Sequence, residues 1–387
     1  MRIYFDHNAT TPLHPAALEA TTRALRETFG NASSVHTFGQ QAKAVLDEAR
    51  ARVAALIGAE PAEVVFTAGG TEADNFAIRG AAEALESRGR RHVVTSQIEH
   101  EAILNTCRAL ERRGWRVTWV PPTQAGVVEP DAVAAALDDE TAIVSIMHAN
   151  NETGVVQPIA AIAEAAHRVG ALMHTDAVQS AGKIPVDVRE LGVDLLSVSA
   201  HKIGGPKGAG ALWIRRGVRI APILTGGRHE RNRRAGTENV PAIAGFGVAA
   251  EIARTGLPEH AVQVSALRDR LERGVLAAVS GAHVNGEGAP RVPNTSNISF
   301  DRVEAESLLI GLDLEGIAVS TGSACSSGTL EPSHVLRAMR LPQGRTQSAI
   351  RFSLGTTNTE AEVDRLLAVL PRLVEKLRSL TRVPAAR

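Results

Sequence analysis

EVVFTAGGTEADNFAIRGAAEALESRG (63–89) reads as one strand, a tight turn of small residues, and one amphipathic helix. The same unit recurs downstream. HVVTS (92–96) precedes a helix expected from about Glu99 to Arg113, and WRVTWV (115–120) follows. TAIVSIMHA (141–149) leads through NNETG to a helix expected from about Ile159 to Val169. ALMHTDA (171–177), DLLSVSAHK (194–202) and GALWI (210–214) complete the set. Strands alternating with helices predict an α/β layer built on a mostly parallel sheet. In such a sheet the chemistry gathers at the carboxyl ends of the strands. After about residue 256 the texture changes. Gly256, Pro258 and a helical stretch over 259–279 predict a boundary followed by a smaller α+β domain.

Composition narrows the function classes. The chain has 387 residues, long enough for two or three domains at roughly 100–200 residues each. Hydrophobic residues make up 44% and charged residues 22%, which excludes a disordered or fibrous chain. Lys+Arg and Asp+Glu are 42 each, so no global charge draws the chain to nucleic acid or to an anionic membrane. The longest apolar run, Val240 to Ala250, is 11 residues, well short of a membrane span. MRIYFDHNATT places Asp6 where a signal peptide needs its apolar core, so a cytoplasmic protein is expected. The two cysteines, Cys107 and Cys325, cannot form a four-Cys zinc or iron–sulfur site. The lysines number five (Lys43, Lys183, Lys202, Lys207, Lys376), which leaves 37 arginines among the 42. A lysine kept against that bias points to something arginine cannot do, such as acting as a neutral amine.

The polar residues at the strand ends are Gly69-Gly70-Thr71, His100, Asn150-Asn151, Asp176 with Gln179, and Ser199 to Lys202. Each alone is ordinary: a turn, a cap, a core histidine, a solvated lysine. Together they form a chemical kit. Thr71 opens a helix after two glycines, leaving backbone N–H groups and a positive dipole end for a phosphate. The spacing is neither that of a P-loop nor that of a dinucleotide fingerprint, and GGPKGAG (204–210) reads as a turn before a strand. HEAIL and HERNR lack the second histidine of a zinc helix. A phosphate cradle, a buried acid, a histidine and a lysine are what pyridoxal phosphate needs. The lysine forms the Schiff base, and the acid keeps the ring nitrogen protonated. Asp176 lies 26 residues before Lys202, so both can reach one edge of the sheet.

At this point the chain resembles the cysteine desulfurases of the NifS/IscS-like group, in the class V aminotransferase family with the type I pyridoxal-phosphate fold. The resemblance rests on YFDHNATTP (4–12), VFTAGGTEADN (65–75), EHEAILNTC (99–107), SIMHANNETGVVQPI (145–159) and HTDAVQSAGK (174–183). It continues through SVSAHKIGGPKGAGAL (197–212), GGRHERNRRAGTENV (226–240), STGSACSSG (320–328) and IRFSLG (350–355), nearly the whole chain. It implies a large cofactor-binding domain over 16–256. Residues 1–15, an N-terminal arm, and 257–387 would then form the small α+β domain.

The resemblance also assigns roles. Lys202 carries the cofactor, Asp176 pairs with the pyridinium nitrogen, Gln179 bonds the phenolic oxygen, and His100 stacks on the ring and shuttles protons. Gly70, Thr71, Ser199 and His201 match phosphate and ring contacts. Thr237 matches a phosphate contact given by the neighbouring subunit, which implies a homodimer. Arg351 clamps the substrate carboxylate, and Asn151 is a second contact to substrate and cofactor. Cys325 sits among small residues in STGSACSSG, a composition expected to pack loosely and to present its thiol. It is the expected nucleophile, while Cys107, on a helix among Ala and Leu, reads as packing. The implied reaction converts L-cysteine to L-alanine and leaves a Cys325 persulfide. Its sulfur would pass to an acceptor protein, an iron–sulfur scaffold or a tRNA-thiolation carrier. Neither a metal nor direct nucleic-acid contact is expected. The rival readings are a selenocysteine lyase, a plain class V aminotransferase, which needs no Cys at 325, and a sulfur-carrier docking protein without turnover. The chain closes on LRSLTRVPAAR, whereas some family members carry a longer extension that docks a cluster scaffold.

Overall fold

Period-two alternation along the strands builds a sheet buried on both faces. The computed structural model describes residues 2–321 and 332–380. Its central sheet holds β2 (Val64–Thr67), β3 (His92–Ser96), β4 (Arg116–Val120), β5 (Thr141–Ser145), β6 (Leu172–Asp176), β7 (Leu195–Ser199) and β8 (Gly210–Ile214); β1 (Ile3–Tyr4) lies elsewhere. The spatial order is β2-β8-β7-β6-β5-β3-β4. Neighbours from β7 to β4 are parallel, and β8 runs antiparallel to both β7 and β2. Val65, Val93, Ile143, Leu195 and Leu212 face one layer with Phe76, Ile103 and Leu110. Their neighbours Phe66, Val94, Val144, Leu196 and Trp213 face the other with Leu46, Ile162 and Phe246. Helices therefore cover both faces, as the alternation predicts. They are α1 (Pro15–Glu27), α2 (Thr37–Leu56), α3 (Gly70–Glu86), α4 (Glu101–Glu111), α5 (Pro130–Ala134), α6 (Ile159–Arg168) and α7 (Val240–Ala278).

The helix expected over 259–279 starts earlier than its local breakers, Gly256 and Pro258, suggest. A single 39-residue helix, α7, runs straight through both. Pro258 forfeits one backbone hydrogen bond, but α7 is anchored in two cores. Val240, Ile243 and Phe246 pack with the central sheet, while Val264, Leu267, Leu271 and Val275 pack in a second cluster. That second cluster includes Phe300, Leu308, Ile350, Phe352 and Leu366, and it also takes Ile3 and Phe5 from the N-terminus. The elements after α7 are β9 (Ala282–Val284), β10 (Thr295–Phe300), α8 (Ala305–Leu314), β11 (Ile317–Ala318), α9 (His334–Ala338), α10 (Gln343–Gln347), β12 (Ala349–Ser353) and α11 (Glu360–Leu380), of which α9 packs back on the central-sheet core through Val335 and Leu336. β12, β10 and β9 form an antiparallel sheet, and β1 pairs with β11. The N-terminal segment then crosses to the central sheet's carboxyl edge. His7 N–H donates to Ser353 O at 3.0 Å, and Thr11 N–H donates to His201 O at 3.0 Å. No helix among the described residues is long and apolar enough to cross a membrane.

One buried ion pair pins the loop before α7 to the sheet. Both Arg50 Nη atoms lie 2.7 Å from the Glu230 carboxylate oxygens, Phe66 N–H donates to Glu230 Oε2 at 2.9 Å, and the guanidinium lies 4.6 Å from the Phe66 ring centroid. Glu230, Arg231 and Asn232 all adopt left-handed backbone, a strained run for non-glycine residues. Glu230→Ala would leave a buried, uncompensated guanidinium, at a cost of about 3–5 kcal/mol. Thermal unfolding should show a lowered Tm, partly restored by the apolar pair Arg50→Met with Glu230→Leu. An unchanged Tm for Glu230→Ala would contradict this role.

Candidate active site

The carboxyl ends of β2, β3, β5, β6 and β7 converge on one edge of the sheet. At the end of β2 the chain turns at Gly69 into α3, whose first N–H groups have no intrahelical partner. A cavity of about 860 Å³ opens there, lined by Gly70, Thr71, Ser199 and His201, with Lys207 at its exposed mouth. Glu72, in the first turn of α3, is neutralised by Arg234 at 2.8 Å, so it does not repel an anion there. The turn exists because glycines meet. A methyl added to Gly210 would lie 2.6 Å from the Gly69 carbonyl carbon. GGPKGAG is thus more than a turn, because its last glycine lets the Gly69 turn approach β8.

At the end of β6, Asp176 is buried, and its Oδ1 accepts the Val178 N–H at 2.8 Å. Burial raises its pKa, opposed by His100 and then Lys202. Behind it lie two further buried acids. Glu99 is pushed up to about 8 by burial, although Ser96 Oγ and Met147 N–H donate to its Oε1. Asp74 is raised well above the carboxylate range by burial and then by Asp176. A cationic ring nitrogen is the partner that would keep Asp176 ionised among these acids. His100 caps α4, its Nδ1 accepting the Ala102 N–H at 3.1 Å. Burial lowers its pKa, opposed by Asp176, so the neutral ring keeps its proton on Nε2. Gln179, three residues past Asp176, is buried, and its Nε2 donates to Asn8 O at 3.0 Å.

Lys202 ends a short 3₁₀ turn after β7. Its Nζ donates to the carbonyls of Asn8 (2.6 Å) and Ala9 (2.8 Å). His201 Nδ1 lies 3.1 Å from Thr10 Oγ1, and burial brings this ring down to about 4, with Lys202 adding to the effect. Arg351 reaches in from β12. Its Nη1 donates to Asn151 O at 3.0 Å and its Nη2 to Asp6 Oδ1 at 2.7 Å. Arg351 Nε and Asn151 Oδ1 are buried without a partner among the described residues, which suits an incoming carboxylate and ammonium. The neighbouring Asn150 is fully engaged instead, donating to Ile98 O and accepting from Glu152 and Thr153 N–H groups.

These residues fit pyridoxal phosphate: a phosphate cradle, a buried acid for the ring nitrogen, a histidine and a lysine on one strand edge. Thr237 is exposed and does not line the chain's own cavity. Cys325 lies outside the described residues. The chain on either side of it is anchored close by. Ser320 exchanges backbone hydrogen bonds with Arg351, and Ser333 Oγ donates to Glu152 Oε2. Asp6 and Asn8 lie in the quoted motif YFDHNATTP, yet local reading gives them no role because their partners Arg351 and Thr295 are far away in sequence; Lys183, in HTDAVQSAGK, reaches Gln179 four residues earlier but also Asn8, 175 residues away.

A family model for class-V aminotransferases matches residues 3–366, and the chain belongs to that family. It is 51% identical over 381 residues to a cysteine desulfurase of Gluconacetobacter diazotrophicus, covering 98% of this chain and 95% of that protein. It is 48% identical to "Cysteine desulfurase IscS" of Dictyoglomus turgidum, covering 98% and 96%. Among solved structures, one described as a NifS-like protein superposes with a TM-score of 0.91 at 39% identity, covering 97% of this chain and 100% of that one. The NifS-like protein of Rickettsia africae gives 0.87 at 31%, covering 97% and 100%. The type I fold with its mostly parallel sheet is therefore as expected.

Gly210→Ala tests the cradle. It should force the Gly69 turn away from β8 and weaken pyridoxal phosphate binding by roughly tenfold, about 1.4 kcal/mol. Absorbance titration of the apoprotein measures this, and an unchanged Kd would contradict the role given to the glycine pair.

Proposed function

We infer that the protein is a pyridoxal phosphate-dependent cysteine desulfurase that converts L-cysteine to L-alanine and holds the sulfur as a persulfide on Cys325. The observation that carries this reading is the set of Lys202, Asp176, His100 and Arg351 on one edge, with the Cys325 segment leaving from Ser320 beside Arg351. When bound, pyridoxal phosphate supplies an electron sink for the substrate's Cα. Arg351 takes the substrate carboxylate through its Nε, unpartnered among the described residues, with Asn151 beside it as the second substrate contact and Asp6 holding Arg351 Nη2. Lys202 Nζ removes the Cα proton, and His100 moves a proton at Nε2. The Cys325 thiolate attacks the substrate sulfur. The S–S bond forms, the Cβ–S bond breaks, and its electrons with a proton complete the methyl of alanine. No external oxidant is required.

The acceptor is an iron–sulfur scaffold or a tRNA-thiolation carrier, in the cytoplasm. The working unit is a homodimer. Leu18 and Leu25 on α1, Phe29 and Val35 in the segment after it, and Phe38 at the start of α2 are exposed apolar side chains, with Val35 91% exposed, and a second copy is the partner that would cover them. Thr237 would then complete the partner's phosphate site.

Two cysteine variants test the reaction. Cys107 is buried, and burial pushes its thiol up, so it stays protonated. Cys107→Ser should keep near-normal alanine and sulfide release. Cys325→Ser should still change the visible spectrum with L-cysteine but form no persulfide, detected by mass spectrometry. Near-normal sulfide release from Cys325→Ser, or a persulfide on Cys107, would sink the reading.

A further inference from the structure

Lys183 is one of the five lysines kept among 37 arginines, and the reaction above does not use it. It lies beyond β6 at the wall of a cavity of about 240 Å³ that also touches His7 and Lys202. Its Nζ donates to Gln179 Oε1 at 2.6 Å and to Asn8 Oδ1 at 2.9 Å. With Nζ donating to both oxygens, Gln179 turns its carbonyl toward Lys183 and its NH₂ away. One hydrogen of that NH₂ goes to Asn8 O at 3.0 Å, and the second remains for the site.

We propose that Lys183 is a positioning residue for the cofactor ring: it locks the Gln179 amide so that an N–H, rather than the carbonyl, meets the ring's phenolic oxygen. The proposal rests on the reading of the site as a pyridoxal phosphate site with Gln179 at that oxygen. The groups facing Lys183 are Lys202, Arg351 and His7, all basic. Burial, then Lys202 and then Arg351 push its ammonium well below the lysine range. Arginine would keep its charge beside two other cations, which accounts for lysine at this position.

The test reads the resting holoenzyme and needs no turnover. A donor on the phenolic oxygen competes with the proton of the Lys202–cofactor linkage, so losing the donor lets that proton persist to higher pH. The pH midpoint of the visible band should rise in Gln179→Ala. It should rise by about one pH unit in Lys183→Met, and in the same direction in Lys183→Gln, which serves should the methionine variant fail to fold. The double variant Lys183→Met with Gln179→Ala should shift no further than Gln179→Ala alone. A shift in Gln179→Ala with none in either Lys183 variant overturns the proposal while leaving the site reading intact. So does cofactor loss from the Lys183 variants but not from Gln179→Ala. No shift in Gln179→Ala overturns the role of Gln179, and the proposal with it.

Discussion

Asn8 is the point at which the N-terminal arm, both cores and the candidate site are tied together. Its Nδ2 donates to Thr295 Oγ1 (2.9 Å) and Asn151 O (3.1 Å), and its Oδ1 accepts from Lys183 and from Asn294 Nδ2 (3.0 Å). Its main-chain carbonyl accepts from Lys202 and Gln179. The residue is 2% exposed, so a polar atom of Asn8 left without its partner costs about 1–3 kcal/mol. Two residues earlier, Asp6 grips Arg351. The arm therefore sets the distance between the lysine at the end of β7 and the guanidinium of β12, although these belong to different cores.

The electrostatics of the edge follow from burial. His100, His148, His174 and His201 are all held below the ordinary histidine range, with His174 brought to about 3. Asp74, Glu99, Glu152 and Asp176 are all held above the carboxylate range. Burial at this edge therefore disfavours charge of either sign. A cofactor with an anionic phosphate and a cationic ring nitrogen would bring the compensating charges, at the start of α3 and at Asp176 on the proposed reading.

Much of this was legible in the sequence because α/β folds put chemistry at strand ends. Thr71, His100, Asp176 and Lys202 each follow a β-branched run, so their common edge could be read from alternation. The antiparallel course of β8 was also within reach, since the ten residues between Ser199 and Gly210 are too few for a parallel crossover, which needs a dozen or more. The continuity of α7 was not legible, because Gly256 and Pro258 are local breakers overridden by burial in two separate cores. Asp6 was hidden for a different reason. Its partner Arg351 is 345 residues away, and no local pattern encodes that contact. Lys183 left a trace only as a lysine where arginine prevails.

The account depends most on Lys202, held by the arm's carbonyls at the end of β7, being the lysine that carries the cofactor. Borohydride reduction of the holoenzyme, followed by proteolysis and mass spectrometry, reads this directly. The account predicts a pyridoxyl group on the peptide containing Lys202 and loss of that label in Lys202→Ala. A pyridoxyl group on Lys207 or Lys183 in the unaltered protein would contradict it.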